Sequence, residues 1–418
     1  MNTSFCSLPW LHLASHPAGY VTLCCQSETL GLKSAAHVRT DETVWDGKPY
    51  FYNLKQHSLA LDIYNSSSFC KTRAQMLAGE RPAECNACWR AEANGEKSKR
   101  QLENERWGYT AADAQKITNA DGSLTRVEFK FIELRLGNTC NARCMTCNPL
   151  SSSNWRHDYL ALSADYDYIR GRYHDMSRDS MQTWEGANTF ELDWYRNEHF
   201  WDELRLHVHN LELIYINGGE PTLIKEHWEF LDYLVAADLA KNITLWYNIN
   251  MTQVPKQAAI WKHFKKVMTS ASIDAVDEQL EIIRYPIKQA QVDASMQLLQ
   301  ELGVEISITA TVSALNFFYL DTLLERYPNM YIHANFVDDP AYYSLAVIPQ
   351  QARDKYLEQQ QPQTDWQHEF WQRIKARSNN TLYDTVLEQQ MLDVTASLDI
   401  MRNTNSRSTL ARLFSNYE

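Results

Sequence analysis

The chain has 418 residues, 44% of them hydrophobic and 22% charged, with a formal net charge of −12. That length exceeds the ~250–300 residues at which one hydrophobic core stops growing, so two or three structural units are expected. The acidic balance argues against non-specific nucleic-acid binding, and no run approaches the ~18 uninterrupted apolar residues of a membrane span. The opening residues, Met1 to Trp10, lack the basic and apolar regions of a secretory leader, so a cytoplasmic protein with no membrane partner is expected. Nine cysteines, an odd number with clustered spacings, read as metal ligands in a reducing compartment rather than as disulfides.

Residues 1–95 form a cysteine-bearing module holding Cys6, Cys24, Cys25, Cys70, Cys85 and Cys88. The run Pro17-Ala-Gly19-Tyr-Val-Thr-Leu-Cys24 predicts a hairpin that delivers a thiolate, and Cys85-Asn-Ala-Cys88 is a tight C-x2-C pair. Two ligands from a hairpin and two from a turn can close a tetrahedral zinc site. Cys25 and Cys70 are surplus, and a small buried hydrophobe is the default for both, although either could replace one of the four. The polar segment 90–106 predicts an exposed helix within a linker spanning 96–126, and Asp121-Gly122-Ser123 marks a turn.

From 127 to 346, β-prone runs alternate with helical stretches, the pattern of a parallel α/β sheet. The predicted strands are 127–136, 211–217, 243–250, 267–274, 305–313 and 330–337. After the first comes Leu-Gly-Asn-Thr-Cys140-Asn-Ala-Arg-Cys144-Met-Thr-Cys147, with spacing C-x3-C-x2-C. Soft sulfur ligands select zinc, copper(I) or iron–sulfur clusters. A structural zinc site wants four closed ligands, and a purely electron-transferring [4Fe–4S] cluster wants four cysteines. Three thiolates leave one iron open. After the second strand comes Gly218-Gly219-Glu220-Pro221, where paired glycines let backbone approach a ligand and a carboxylate can accept from an ammonium.

Later strand ends add Tyr247, Asn248, Asn250 and Thr252, then Ser272 and Asp274, then Ser313 and Asn316. Arg284, in Ile-Arg-Tyr-Pro, carries a guanidinium suited to a carboxylate. Each alone is more often a cap or turn former than a ligand. Their recurrence at consecutive strand ends matches the place where barrels keep their catalytic groups. The insertion 148–210 is too long for one crossover helix and carries Trp155, Trp184, Trp194 and Trp201. These form either a substrate-facing wall or the small core of a helical subdomain, the latter preferred. Residues 347–418 predict a C-terminal helical cap, and no internal repeat is present.

C-x3-C-x2-C followed about seventy residues later by Gly-Gly-Glu-Pro resembles the radical S-adenosylmethionine (radical SAM) superfamily. The resemblance implies an α/β fold. It would be a partial (β/α)6 TIM-like barrel with a small N-terminal cysteine-rich β-hairpin/helix domain and a C-terminal helical cap. It also implies a [4Fe–4S] cluster on Cys140, Cys144 and Cys147 whose open iron chelates the amino and carboxylate groups of SAM. Gly218, Gly219, Glu220 and Pro221 would hold the methionyl amine. Asn250 would lie near the ribose, Ser272 and Asp274 near ribose and carboxylate, Arg284 against the carboxylate, and Ser313 would add a contact. Thr146 stands where the family often has an aromatic residue, so adenine stacking falls to another group.

C-x17-C followed by C-x2-C resembles the twitch domain, the shortened SPASM domain, here preceding the core rather than following it. That implies a second, auxiliary [4Fe–4S] cluster on Cys6, Cys24, Cys85 and Cys88. The expected activity is reductive cleavage of SAM to a 5′-deoxyadenosyl radical and hydrogen abstraction from a peptide or small polar substrate. The net reaction would be an oxidation through the auxiliary cluster, with an external electron donor such as flavodoxin or ferredoxin. The alternatives are a nucleotide- or nucleoside-modifying member of the same superfamily and a non-catalytic iron–sulfur redox or assembly protein. Gly-Gly-Glu-Pro speaks against the last, since an electron carrier needs no SAM amine site.

Overall fold

The architecture comes from a computed structural model that describes residues 4–29, 32–35, 39–43, 49–170 and 192–415. After a short helix, Leu8–Leu11, comes a hairpin, β1 (His12–Ser15) and β2 (Val21–Thr22). Two small antiparallel pairs follow: β3 (Glu28–Thr29) with β4 (Leu32–Ala35), and β5 (Arg39–Thr43) with β6 (Pro49–Phe51). The remaining strands are β7 (Phe131–Leu136), β8 (Leu213–Gly218), β9 (Thr244–Ile249), β10 (Lys266–Ser272), β11 (Glu305–Val312) and β12 (Ile332–Phe336). They fall within a residue or two of the predicted runs, except that β7 begins four residues later than predicted.

These six strands lie side by side in sequence order and run parallel, forming the expected α/β partial barrel. The sheet does not stop at β7. Strand β1 pairs with it in parallel, His12 opposite Phe131, and β2 returns antiparallel to β1 as the edge. The N-terminal hairpin is therefore part of the main sheet, which has eight strands.

Side chains along a strand alternate between faces. The outer face is apolar, with Ile132, Leu134, Ile214, Ile216, Leu245, Ile249, Ile308 and Ala310 buried. It is covered by crossover helices such as Lys225–Ala236 and Gln289–Glu301, which bury Leu231, Leu234, Val292 and Leu299. The inner face carries polar and aromatic groups in register: Glu133 beside Tyr215, Arg135 beside Asn217, Tyr215 beside Trp246, Asn248 beside Ser270 and Ser272 beside Thr309.

The predicted helix 90–106 is two helices, Asn86–Ala93 and Lys99–Trp107. Gly95, at φ +80°, takes the left-handed conformation that ends the first. A Ser98–Gln101 capping box starts the second. In the insertion, Trp155, Trp194 and Trp201 are buried as core, whereas Trp184 lies outside the described residues. At the C-terminus, Asp365–Asn379 packs beside β12 and Thr385–Arg402 packs on the helix Arg156–Asp165. Among the described residues no helix is long and apolar enough to cross a membrane.

His227 sits in this packing with its ring 4.3 Å from Trp228 and 5.9 Å from Tyr247, centroid to centroid. Its Nδ1 bonds the Ile224 carbonyl at 2.7 Å, while Nε2 is buried without a partner. Burial pushes its pKa down to about 3. The unfolded chain therefore takes up a proton here that the folded chain refuses. Folding stability should fall by about 2 kcal/mol at this site between pH 8 and pH 5. His12 is depressed in the same direction by burial, so the test is the difference between wild type and His227→Gln in urea unfolding at both pH values. The variant should lose about 2 kcal/mol less on acidification, and an equal loss in both proteins would remove His227 as the acid-sensitive group.

Candidate functional site

Strand β7 delivers its chain to Gly137, at φ +60°, and into the cysteine loop. That loop is zipped to the turn after β8: Gly219 N donates to Gly137 O (3.2 Å) and Glu220 N to Thr139 O (2.7 Å). A Cβ on Gly218 would stand 2.8 Å from Leu136 N, and one on Gly219 would stand 2.3 Å from Thr139 O. The paired glycines are thus required by the contact between two strand-end loops, whatever ligand they also meet. On its other side the cysteine loop pairs with 283–285, Arg143 N donating to Tyr285 O (2.8 Å) and Met145 N to Ile283 O (2.7 Å). Trp155 Nε1 donates to Cys144 O at 2.8 Å.

These contacts enclose a cavity of about 490 Å³ at the C-terminal strand ends. Cys140, Cys144 and Cys147 line it, joined by Gly218, Gly219, Asn250, Ser272 and Arg284. Glu220, Pro221, Asp274 and Ser313 do not line it. Both Glu220 oxygens are used internally: Oε2 accepts from Asn250 N (2.7 Å), and Oε1 from Thr222 N (3.2 Å) and Thr222 Oγ1 (2.6 Å). Burial raises its pKa. Asn250 in turn donates through Nδ2 to Asn141 Oδ1 (2.7 Å) and to Cys140 Sγ (3.7 Å). Glu220 therefore acts on the cavity through Asn250.

Asp274 does the same for Arg284. Its Oδ2 accepts from Arg284 Nη1 at 2.9 Å while Oδ1 accepts from Thr311 N at 2.7 Å. Arg284 Nε remains buried with no hydrogen-bond partner, on a guanidinium that lines the cavity. A buried donor without an acceptor is costly, and a ligand carboxylate would satisfy it. Ser313 is bound locally, its N and Oγ both to Asn316 Oδ1, and Asn316 Nδ2 donates to the Asp274 carbonyl. It braces the loop that carries Asp274.

Asn248, expected at its strand end, also lines the cavity, and so do four residues that the motifs did not single out: Arg135, Tyr215, Asn217 and Thr311. Asn248 Nδ2 donates to Tyr215 Oη at 2.7 Å, and Arg135 Nη2 stands 3.5 Å from buried Glu133. The signal was present in the sequence, since Glu133 and Arg135 are charged positions at a spacing of two inside an otherwise apolar strand.

Burial lifts the thiols of this loop, Cys140 to about 11, with Cys144 and Cys147 also raised. Neighbouring thiols add to the effect on Cys147, while the charges of Arg284 and Arg402 oppose it at Cys144. All nine cysteines are free thiols. At the N-terminus, burial pushes Cys6 up to about 12 and raises Cys24 and Cys85; Cys88 adds to the lift on Cys6; Cys25, Cys6 and Cys85 add to that on Cys24; and Cys6 and Cys88 add to that on Cys85. Cys25 adjoins Cys24 but also feels Glu133, Lys99 and Arg135, and Cys70 lies apart, near Asp121 and Arg73.

Among the described residues no group of three or more His, Cys, Asp or Glu side chains is drawn together as a single-ion metal site. The thiol sets nevertheless suit clusters in donor chemistry, since each sulfur of a cluster binds a different iron and the sulfurs stand further apart than on one ion. Binding would require these protonated thiols to ionise, which a metal's own charge brings about.

No family model matches the chain, and no curated protein matches it. Solved structures with some likeness include native anSMEcpe with bound AdoMet, at 16% identity and TM-score 0.34 over 55% of this chain and 58% of that one. A histidine-tagged anSMEcpe with bound AdoMet gives 18% and 0.37 over 55% and 56%. Streptococcus suis SuiB bound to S-adenosylmethionine gives 13% and 0.32 over 62% and 48%. The chain thus spans between about half and three-fifths of the length of these neighbours, and likeness at this level carries no argument about its activity.

The contact between the two loops can be tested directly. Gly219→Ala should cost roughly 1–3 kcal/mol of stability in urea unfolding, because the new methyl overpacks against backbone that cannot yield. Unchanged stability would show that the loops separate without cost.

Proposed function

We propose that this protein is a radical SAM enzyme. The observation that carries the reading is that three thiols of one loop share a single cavity with the Gly218–Gly219 backbone and with Arg284, whose Nε is buried and unpartnered. A [4Fe–4S] cluster on Cys140, Cys144 and Cys147 would supply one-electron cleavage of SAM to methionine and a 5′-deoxyadenosyl radical. The chain's own residues do the rest. Arg284, anchored by Asp274, offers a fixed donor to the SAM carboxylate. Asn250, held by Glu220, donates toward Cys140 and moderates its charge. Ser272 offers a hydroxyl toward the ribose.

A peptide or small polar molecule is the proposed substrate. The inner barrel face supports this, since Arg135, Tyr215, Asn217 and Asn248 present hydrogen-bonding groups to whatever enters. Cys6, Cys24, Cys85 and Cys88 would hold an auxiliary [4Fe–4S] cluster that removes an electron from the substrate radical, making the reaction an oxidation. The electron for SAM cleavage would come from a donor such as flavodoxin or ferredoxin.

Anaerobically reconstituted protein should carry two clusters, and replacing Cys140, Cys144 and Cys147 together by Ala should leave one and abolish SAM cleavage. Retained cleavage in that variant, measured as 5′-deoxyadenosine released, would overturn the assignment.

Cys85→Ala with Cys88→Ala should separate the half-reactions. SAM cleavage should persist, because the barrel thiols are untouched, while substrate oxidation fails for want of an electron acceptor. Full product formation by the folded double variant would exclude a redox role for the N-terminal site.

A further inference from the structure

The cysteine loop is held from the far end of the chain. Asp158, fully buried, sits between two guanidiniums: Arg143 Nη1 donates to its Oδ1 at 2.8 Å, and Arg402 Nε and Nη2 donate to its Oδ2 at 3.0 and 2.8 Å. Arg143 lies within the cysteine triplet, between Cys140 and Cys144, whereas Arg402 is the last residue of the helix Thr385–Arg402. The Arg402 guanidinium also lies over the rings of Trp155 (5.1 Å) and Tyr285 (5.2 Å), and that of Arg143 lies over Tyr285 (5.0 Å). Trp155 donates to the Cys144 carbonyl, and the Tyr285 carbonyl accepts from Arg143 N. Two of the backbone anchors of the triplet therefore rest on aromatic residues that Arg402 covers.

Arg402 Nη1 is buried and has no hydrogen-bond partner, and the charge of Arg402 reaches Cys144. Asp158 and the two guanidiniums carry two positive charges against one negative, and exposed His157 stands with Nδ1 3.5 Å from Asp158 Oδ1. A buried ion pair adds little net stability, so a second guanidinium on an already paired carboxylate leaves surplus positive charge beside the thiols.

We propose that Arg402 is a positioning residue of the cysteine-loop site: through Asp158, Trp155 and Tyr285 it fixes the loop that carries Cys144, and its charge stabilises the electron-rich state of a cluster bound there. The C-terminal helix is then part of the site. This rests on reading Cys140, Cys144 and Cys147 as cluster ligands.

The test compares Arg402→Gln, Arg402→Lys and Ile400→Ser, a control at an exposed position of the same helix, in full-length reconstituted protein. Two quantities are read, each from the cluster whose electron paramagnetic resonance signal responds to added SAM. One is resistance of its iron to the chelator bipyridyl, and the other is its midpoint potential. R402Q should lose iron roughly 10–100-fold more readily, the usual cost of removing a group that orients a ligand, and its potential should move negative. R402K keeps the charge but loses the two-pronged bond, so its potential should recover while iron retention does not. A helix acting only as packing predicts no change in potential for any folded variant.

Should R402Q fail to fold, Trp155→Phe removes only the indole donor to Cys144 O, keeps the ring, and decides on iron retention alone. Wild-type iron retention and potential in folded R402Q, or wild-type iron retention in W155F where R402Q does not fold, would overturn the inference. Wild-type protein that binds no SAM-responsive cluster would instead overturn the reading of the triplet itself.

Discussion

Contact between two loops sets the geometry of the whole barrel mouth. The chain leaving β7 and the chain leaving β8 touch so closely that no Cβ fits at Gly218 or Gly219. From that contact a line of hydrogen bonds crosses three strand ends. Glu220 N reaches back to Thr139 O, the Glu220 carboxylate reaches forward to Asn250 N, and the Asn250 amide returns to Asn141 and Cys140. The position of Cys140 is therefore determined by β7, β8 and β9 together. Side-chain and backbone bonds that satisfy one another in this way resist separate displacement, because breaking any one leaves a buried group unpaired.

The inner face of the barrel tells against a role confined to stability. Glu133 and Asp274 are buried carboxylates, each with an arginine that also lines the cavity. Burying such pairs is at best weakly favourable against an apolar core. Polar neighbours compensate where they can: Trp246 Nε1 donates to Ser270 Oγ at 3.0 Å, and Asn248 to Tyr215. Two arginines line one space, each beside a buried carboxylate, and give it a charged lining.

The strands and the thiol triplet were legible because their signals are local. β-prone runs and C-x3-C-x2-C spacing survive any tertiary arrangement. The roles of Glu220, Asp274 and Ser313 were not, since a side chain at a strand end can turn toward the cavity or toward a neighbouring loop. Only tertiary hydrogen bonds decide, and here Asn250 N, Thr311 N and Asn316 decided for the loops. Strand β1 was hidden for a different reason. A four-residue run, His12–Ser15, is too short to announce a partner more than a hundred residues away. The Arg402–Asp158 pair, 244 positions apart, has no local trace at all.

Joining the N-terminal hairpin to the sheet also places its thiols. Pro17, in the hairpin turn, lines the cavity, and Ser15 Oγ accepts from Arg135 N at 2.9 Å, so the turn end of the hairpin reaches the barrel mouth. The cysteines are at the other end. Continuing the antiparallel register Ala14–Thr22 brings Cys24 level with His12, which lies opposite Phe131 at the start of β7. Two strand spacings separate β2 from β7, about 10 Å, and the five steps from Phe131 to Leu136 add about 16 Å along the sheet. On that register Cys24 stands near the start of β7, toward the end of the sheet opposite the mouth that Cys140, Cys144 and Cys147 line.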